Sequence, residues 1–284
     1  MSIRIVTDST CDLPEEIIAE YGITVVPLYI NFGGDGYLDG VEITRQEFYE
    51  RLVDCDPLPT TATPGVDTFR NVYDQLAEQG ATKVLSIHIS ISLSATVDVA
   101  RTAARETSTV PVTVFDSQQL SLGTGFLVLT AAKAAAQGVP MDEIIVMLKE
   151  QTSRTYVVAA LDTLEFLQRS GRMNAVVASL GGMLQIKPLL IMHSGEPTAE
   201  RVRTRERALK RVIQIVRDLG PLEKLALVHT NAPQEALDLY ERAKHIFPDQ
   251  VDPMSVDVTP VLGTNIGPGV VGFACITAKS DDSN

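Results

Sequence analysis

The chain has 284 residues, 45% hydrophobic and 21% charged, a balance that buries a sizeable core and excludes disorder outside the last few residues. A formal charge of -12 and the lack of tryptophan argue against nucleic acid as a partner, because like charge repels phosphate and few faces exist for base stacking. The length favours two domains with a cleft between them, or one large α/β unit. Cys11, Cys55 and Cys275 lie far apart with no CxxC, so neither a disulfide framework nor a thiolate metal site is expected.

The first residues turn polar after four positions, and the longest uncharged apolar runs, near 124–136 and 155–161, fall short of the ~20 residues that a membrane helix needs. The expectation is a cytoplasmic protein that is neither exported nor membrane-spanning.

In chain order, residues 3–7 read as a first strand, and Pro14 suits the first turn of a helix after Asp12. Residues 25–31 read as a second strand. Thr44 with Glu47 three residues on forms a capping box, opening a helix that runs to about Leu52. Strands at 84–89 and 112–115 follow. Short runs rich in Val and Ile thus alternate with amphipathic stretches, the pattern of βαβ units around a parallel sheet. Helices at 118–137 and 141–152 are separated by Gly138 and Pro140, a stop and restart signal. The domain boundary is placed just after them.

The expected fold class is therefore α/β in two domains: an N-terminal parallel-sheet α/β domain over 1–153 and a C-terminal α+β domain with a mixed sheet over 154–284. In the second half, 156–161 and 188–192 read as strands. Ser194-Gly195-Glu196 is a turn leading to a strand at 198–202. Helices at 205–218 and 233–246 flank a strand at 225–229, and 270–277 reads as a closing strand.

Several enzyme classes lose their support because the sequence has no GxxxxGK[ST], no GxGxxG opening a helix, no HExxH and no GxSxG. His88, His193, His229 and His245 show no ligand spacing, so no metal is expected.

What remains are loops rich in hydroxyls and glycine. Thr7-Asp8-Ser9-Thr10 follows the first strand directly; it suits an Asx-type turn and helix cap, and equally a site in which Ser9 takes part. Thr60-Thr61-Ala62-Thr63-Pro64-Gly65 places three hydroxyls before a proline that keeps Thr63 out of the helical region, so the loop stays extended and can face a cleft or simply cap itself. Ser90 to Thr96 leads from a strand into a helix, where hydroxyls and free N–H groups form a ready site for a carboxylate or phosphate. A nucleophilic Ser94 is the alternative, although the sequence identifies no base and acid for it.

Ser170-Gly171-Arg172 marks a tight turn whose arginine can face an anion. Arg201, Arg203, Arg205, Arg207, Lys210 and Arg211 crowd one stretch, which fits an anion or partner site and equally a salt-bridged helix face. The glycine-rich run at 263–269 reads as an irregular loop.

TDSTCDLP near the start, DGVEIT at 39–44, SLSAT at 92–96, FDS at 115–117, DTLEFLQRSGR at 162–172, IKPLL at 186–190 and GTNIGPG at 263–269 together resemble the DegV family, in that family's order and over nearly the whole chain. The resemblance implies a two-domain α/β protein holding a long-chain fatty acid in a tunnel between its domains. It further implies a non-enzymatic role without cofactor or metal, in some members as the binding subunit that presents the acyl carboxylate to a separate ATP-dependent kinase subunit. By the same resemblance Thr61 and Ser94 match carboxylate-binding hydroxyls, and Arg172 and Arg203 match arginines near the site, with Arg205 as the alternative register for the second. Where the family often has His in this last motif, the chain has Asn265 followed by Ile266. Asn can donate a hydrogen bond but carries no charge near neutral pH, so head-group contact can survive while a role for that His in phosphoryl transfer is put in doubt. Phe166, Met183, Leu184, Ile186, Leu189 and Leu190 are candidates for the tunnel lining and equally for ordinary core.

Three readings follow: a fatty-acid carrier, a small-anion phosphotransferase or hydrolase with Ser94 as nucleophile, and a regulatory protein that senses lipid through its basic stretch.

Overall fold

The computed structural model describes residues 2–52, 55–172, 187–247 and 254–279. Its first half is built on a parallel sheet of β1 (Ile3–Asp8), β2 (Thr24–Val26), β6 (Lys83–His88) and β7 (Val112–Asp116), in the order β2-β1-β6-β7. β6 is buried from Val84 onward, as a strand covered on both faces must be. One face carries α3 (Val66–Glu78) and α4 (Thr96–Glu106), which pack Phe69, Tyr73, Ala100 and Ala103 against Val6 and Val84.

The stretch 25–31 is not one strand. β2 ends at Val26, and Pro27, which has no N–H to extend a ladder, redirects the chain into β3 (Tyr29–Phe32). β3 pairs antiparallel with β4 (Asp35–Leu38) and β5 (Thr60–Ala62), with Ile30 opposite Thr61. This small sheet rests on α2 (Arg45–Leu52), whose start is capped as expected, Thr44 Oγ1 accepting from Glu47 N at 3.1 Å.

α5 (Ser121–Ala136) is apolar around most of its circumference, which requires burial on all sides. It packs between the parallel sheet, at Ile5, Leu85 and Ile87, and a second sheet, at Val157, Ala226, Val228 and Ala274. α1 (Glu15–Tyr21) and α6 (Met141–Thr152) lie beside it.

The second sheet is mixed. Its order is β10 (Glu196–Val202), β9 (Lys187–His193), β8 (Thr155–Ala160), β13 (Val271–Thr277), β11 (Leu222–His229) and β12 (Ser255–Asp257). All pairings are antiparallel except β11 with β12. The expected closing strand is therefore central, between β8 and β11, because its side chains are apolar on both faces. The outer face, Val158, Ala160, Leu189 and Phe273 among others, is covered by two helices that the sequence placed well, α8 (Arg205–Asp218) and α9 (Pro233–Ala243). Thr204 Oγ1 caps α8 by accepting from Arg207 N.

Two short helices complete the fold, α7 (Glu165–Arg169) and α10 (Pro260–Ile266). The second corrects the expectation of an irregular loop over 263–269. Pro260 opens the helix, and Gly263 lies within it because any Cβ there would meet the Tyr49 hydroxyl at 2.5 Å. Only Gly267 and Gly269, at φ 75° and 78°, need the left-handed region.

Candidate functional site

The carboxyl ends of β1 and β6 adjoin where strand order reverses, the usual place for a ligand in an open α/β sheet. Here that crevice is filled. Asp8 and His88 are fully buried, with Asp8 Oδ2 to His88 Nδ1 at 2.9 Å, His88 Nε2 to Ser86 Oγ at 2.7 Å, and Ser86 Oγ to Tyr73 OH at 2.9 Å. Asp8 also accepts from the Thr10 amide and hydroxyl and from Ile89 N. Burial would raise its pKa, but the His88 pair and these hydrogen bonds outweigh it and hold the carboxyl below its ordinary value. Ser9 Oγ accepts from Leu28 N at 3.2 Å. The loop after β1 thus uses its polar atoms within the fold, and Ser9 is not brought to the other predicted site residues.

Ser9 instead borders a separate cavity at α2, beside Asp12, Asp39 and Thr259. Asp12 Oδ1 accepts from Thr259 N at 2.9 Å and Arg45 at 3.3 Å, and its Oδ2 accepts from Ser121 Oγ at 2.6 Å. Burial pushes Asp12 up to about 7 against those partners, and Asp39 up to about 6. These contacts tie the start of α10 to the first half of the chain.

The main cavity, about 550 Å³, is lined by β8, β9 and β10 of the mixed sheet, by β5 and by the loop after β6, and so takes its lining from both halves. Thr61 reaches it from β5, Ser94 from the loop into α4, Arg172 from the turn after α7, and Asn265 from the last turn of α10. Ser94 Oγ meets Thr96 Oγ1 at 2.8 Å and Thr96 N at 3.3 Å, and Thr96 Oγ1 meets Thr63 Oγ1 at 3.3 Å. The two hydroxyl loops are therefore joined by a bridge of threonines. Arg172 donates to its neighbour's Ser170 O at 2.8 Å, and Asn265 Nδ2 to Val261 O at 2.8 Å, leaving each with further N–H groups. Asn265 Oδ1 is buried without a partner.

A second cavity of about 250 Å³ shares Thr61, Arg172 and Asn265 with the first and adds Arg169, Ser170 and Thr264. The polar end of the main cavity is thus common to both. Most of the remaining lining is aliphatic: Leu161, Leu167, Leu190, Met192 and Val261 among others.

Arg203 is exposed on the turn between β10 and α8 and lines neither cavity. Arg205 is half-buried, but its guanidinium donates to Ala160 O and Gly269 O and pairs with Asp162, a structural brace. Of the expected lining residues, Leu190 faces the cavity, Leu189 points to the opposite face of the sheet, and Phe166 borders only the second cavity. Met183, Leu184 and Ile186 lie outside the described residues. Val157, Ala159 and Met192 were missed, because β8 and β9 are apolar on both faces and show no alternation that marks the inner one.

A family described as "Uncharacterised protein, DegV family" matches residues 2–278. The chain belongs to the DegV family. A DegV domain-containing protein of Streptomyces coelicolor is 36% identical over 95% of this chain and 96% of its own. The crystal structure of DegV from Bacillus subtilis, described as a fatty acid binding protein, superimposes with a TM-score of 0.90 at 30% identity, covering 98% of this chain and 100% of that one. A DegV family protein from Thermus thermophilus, described by its fatty acid binding, gives 0.88 at 32% identity with the same coverage. The two-domain α/β fold of these DegV structures is the fold seen here. Among the described residues no helix is long and apolar enough to cross a membrane, and no group of three His, Cys, Asp or Glu could hold a metal ion.

Proposed function

We propose that this protein is a carrier that buries a long-chain fatty acid in the main cavity, with the carboxylate at Thr61, Ser94, Arg172 and Asn265. The observation that carries the reading is the lining of that cavity: aliphatic for the most part, with Thr61, Arg172 and Asn265 shared with the second cavity and Ser94 linked through Thr96 to Thr63 on the Thr61 loop. The fatty acid binding of the Bacillus and Thermus relatives supports it.

The energetics fit. About fourteen buried methylenes contribute on the order of 11 kcal/mol, before ordering costs, at ~0.8 kcal/mol each. Each hydrogen bond to the charged head contributes roughly 1.5–3 kcal/mol and prevents the larger cost of an unpaired buried carboxylate. The tail gives affinity and the hydroxyls give orientation.

Ser94 acts as a donor in this reading, not as a nucleophile, since its hydroxyl contacts Thr96 and neither a histidine nor a carboxylate. The division of the chain into 1–153 and 154–284, with the cavity between them, belongs to the same proposal. So does presentation of the carboxylate to a separate ATP-dependent kinase subunit; the second cavity, which meets the head-group end, supports access from that side.

Native mass spectrometry after mild purification is expected to show a co-purified acyl chain, and titration with palmitate or oleate to show saturable binding. An empty protein that binds neither acid contradicts the proposal. Handover is tested separately, by phosphorylation of the bound acid with ATP and a fatty acid kinase subunit.

A further inference from the structure

The floor of the main cavity is the inner face of β8, β9 and β10, and the pairing register fixes its profile. Val157 lies opposite Met192, which lies opposite Pro197. Two residues along, Ala159 lies opposite Leu190, which lies opposite Ala199. Rows on one face succeed each other at about 6.6 Å, two residues of ~3.3 Å rise. Beyond the alanine row stand Leu161, Val270 and Asn265, at the polar end. The floor is therefore lowest at Ala159, beside Leu190, and rises at Val157, Met192 and Pro197.

At that far end Leu120 lines the cavity from a strap, residues 117–120, that joins β7 to α5. The strap is fixed on both sides. Gln118 N donates to Asp116 Oδ1 and Ser90 N to Gln119 O, both at 2.9 Å, on the side of the parallel sheet. Gly195 N, in the β9–β10 turn, donates to Gln118 O at 2.9 Å, and Gln119 Nε2 donates to Thr155 O at 2.8 Å, on the side of the mixed sheet. Gln118 and Ser121 hold left-handed backbone at φ 53° and 49°, a conformation that persists in such residues where surrounding contacts enforce it. The backbone that carries Leu120 is thus tied to both sheets and cannot withdraw without breaking these hydrogen bonds.

From this geometry we infer that Met192, with Leu120 and Val157, is the stop that sets the longest acyl chain the protein accepts, and that Ala159 sets the width available to the middle of the chain. The inference rests on the carrier reading above. A rigid stop gives a sharp upper limit: affinity rises with each added methylene and then falls abruptly.

The test is to titrate a homologous series of saturated fatty acids into the wild-type protein and into Met192→Ala, Leu120→Ala and Ala159→Met. Met192→Ala and Leu120→Ala are expected to move the limit upward. An acid about two methylenes longer than the wild-type limit should bind roughly tenfold more tightly to them than to the wild type. Ala159→Met is expected to move the limit downward and to weaken palmitate by a similar factor. Leu120, half-buried on the strap, guards against the case in which loss of the buried Met192 side chain impairs folding. If palmitate binds to all four proteins with one unchanged length profile, the inference is overturned while the carrier reading stands. If the wild-type protein binds no fatty acid of the series, the carrier reading fails and the inference with it.

Discussion

The loop after β1 and the loop after β6 both follow strands of the same parallel sheet and both are rich in hydroxyls, yet their polar atoms go to different uses. Around Asp8 the partners lie within the fold: Thr10, His88 and Ile89 converge on one carboxylate, and Ser9 holds Leu28. Among the described residues the Ser94 hydroxyl meets only Thr96, which in turn meets Thr63, and the loop borders an apolar cavity that Thr61 also lines. A buried polar group must be satisfied. Where the fold does the satisfying, the loop is structure; where donors stand at the end of an aliphatic cavity, they suit a ligand.

The largest effect that distinguishes the two loops is on stability. Asp8→Ala removes the acceptor of a fully buried hydrogen bond from His88 and strands three further donors, so it should cost about 3–5 kcal/mol in urea denaturation. A variant as stable as the wild type would show that the first loop is not the saturated one.

The converse holds at the second loop. Thr61→Val is expected to weaken palmitate by roughly 1.5–3 kcal/mol, about tenfold to a hundredfold, as a hydrogen bond to a charged head is lost. Stability should change little, since no side-chain hydrogen bond within the fold is removed. Unchanged affinity by titration would place the head group elsewhere.

Asp12 gives an intermediate effect with a definite sign. Burial raises its folded-state pKa from 3.8 to about 7. The folded protein therefore keeps a proton that the unfolded chain has released, and stability falls as pH rises from about 4 through 7. Asp12→Asn removes this dependence, so relative to wild type it should be more favourable at pH 8 than at pH 5, by on the order of 1–3 kcal/mol. Urea midpoints at the two pH values provide the check, and an equal difference at both would refute it. The smallest effect is at Arg203, exposed and outside both cavities. Arg203→Glu should leave palmitate affinity and stability within about 0.5 kcal/mol, and a large loss of affinity would bring that arginine back into the site.

Much of this was legible in the sequence, for identifiable reasons. The βαβ rhythm gave the parallel sheet, and α8 ran over the expected 205–218 because a Thr204 cap precedes a strongly amphipathic stretch. The motifs shared with the DegV family selected Thr61 and Ser94 from many hydroxyls, and with them Arg172 and Asn265, and all four border one cavity. Composition alone could not separate Ser9 from Ser94, because saturation depends on Leu28 and on partners from β6. The helical start of the glycine-rich run was hidden for a similar reason. Its fit depends on Tyr49 and Phe48 packing at Gly263, and on Asp12 meeting Thr259, contacts made across more than two hundred residues of chain. Nor could a strand apolar on both faces reveal that Val157 and Ala159 look inward.

The most direct measurement of the central claim is a crystal structure of the protein with palmitate bound. The expected density shows the carboxylate within hydrogen-bonding distance of the Thr61 and Ser94 hydroxyls and the chain running over Ala159 toward Met192. A chain lying in the reverse direction, or palmitate bound outside this cavity, would contradict it.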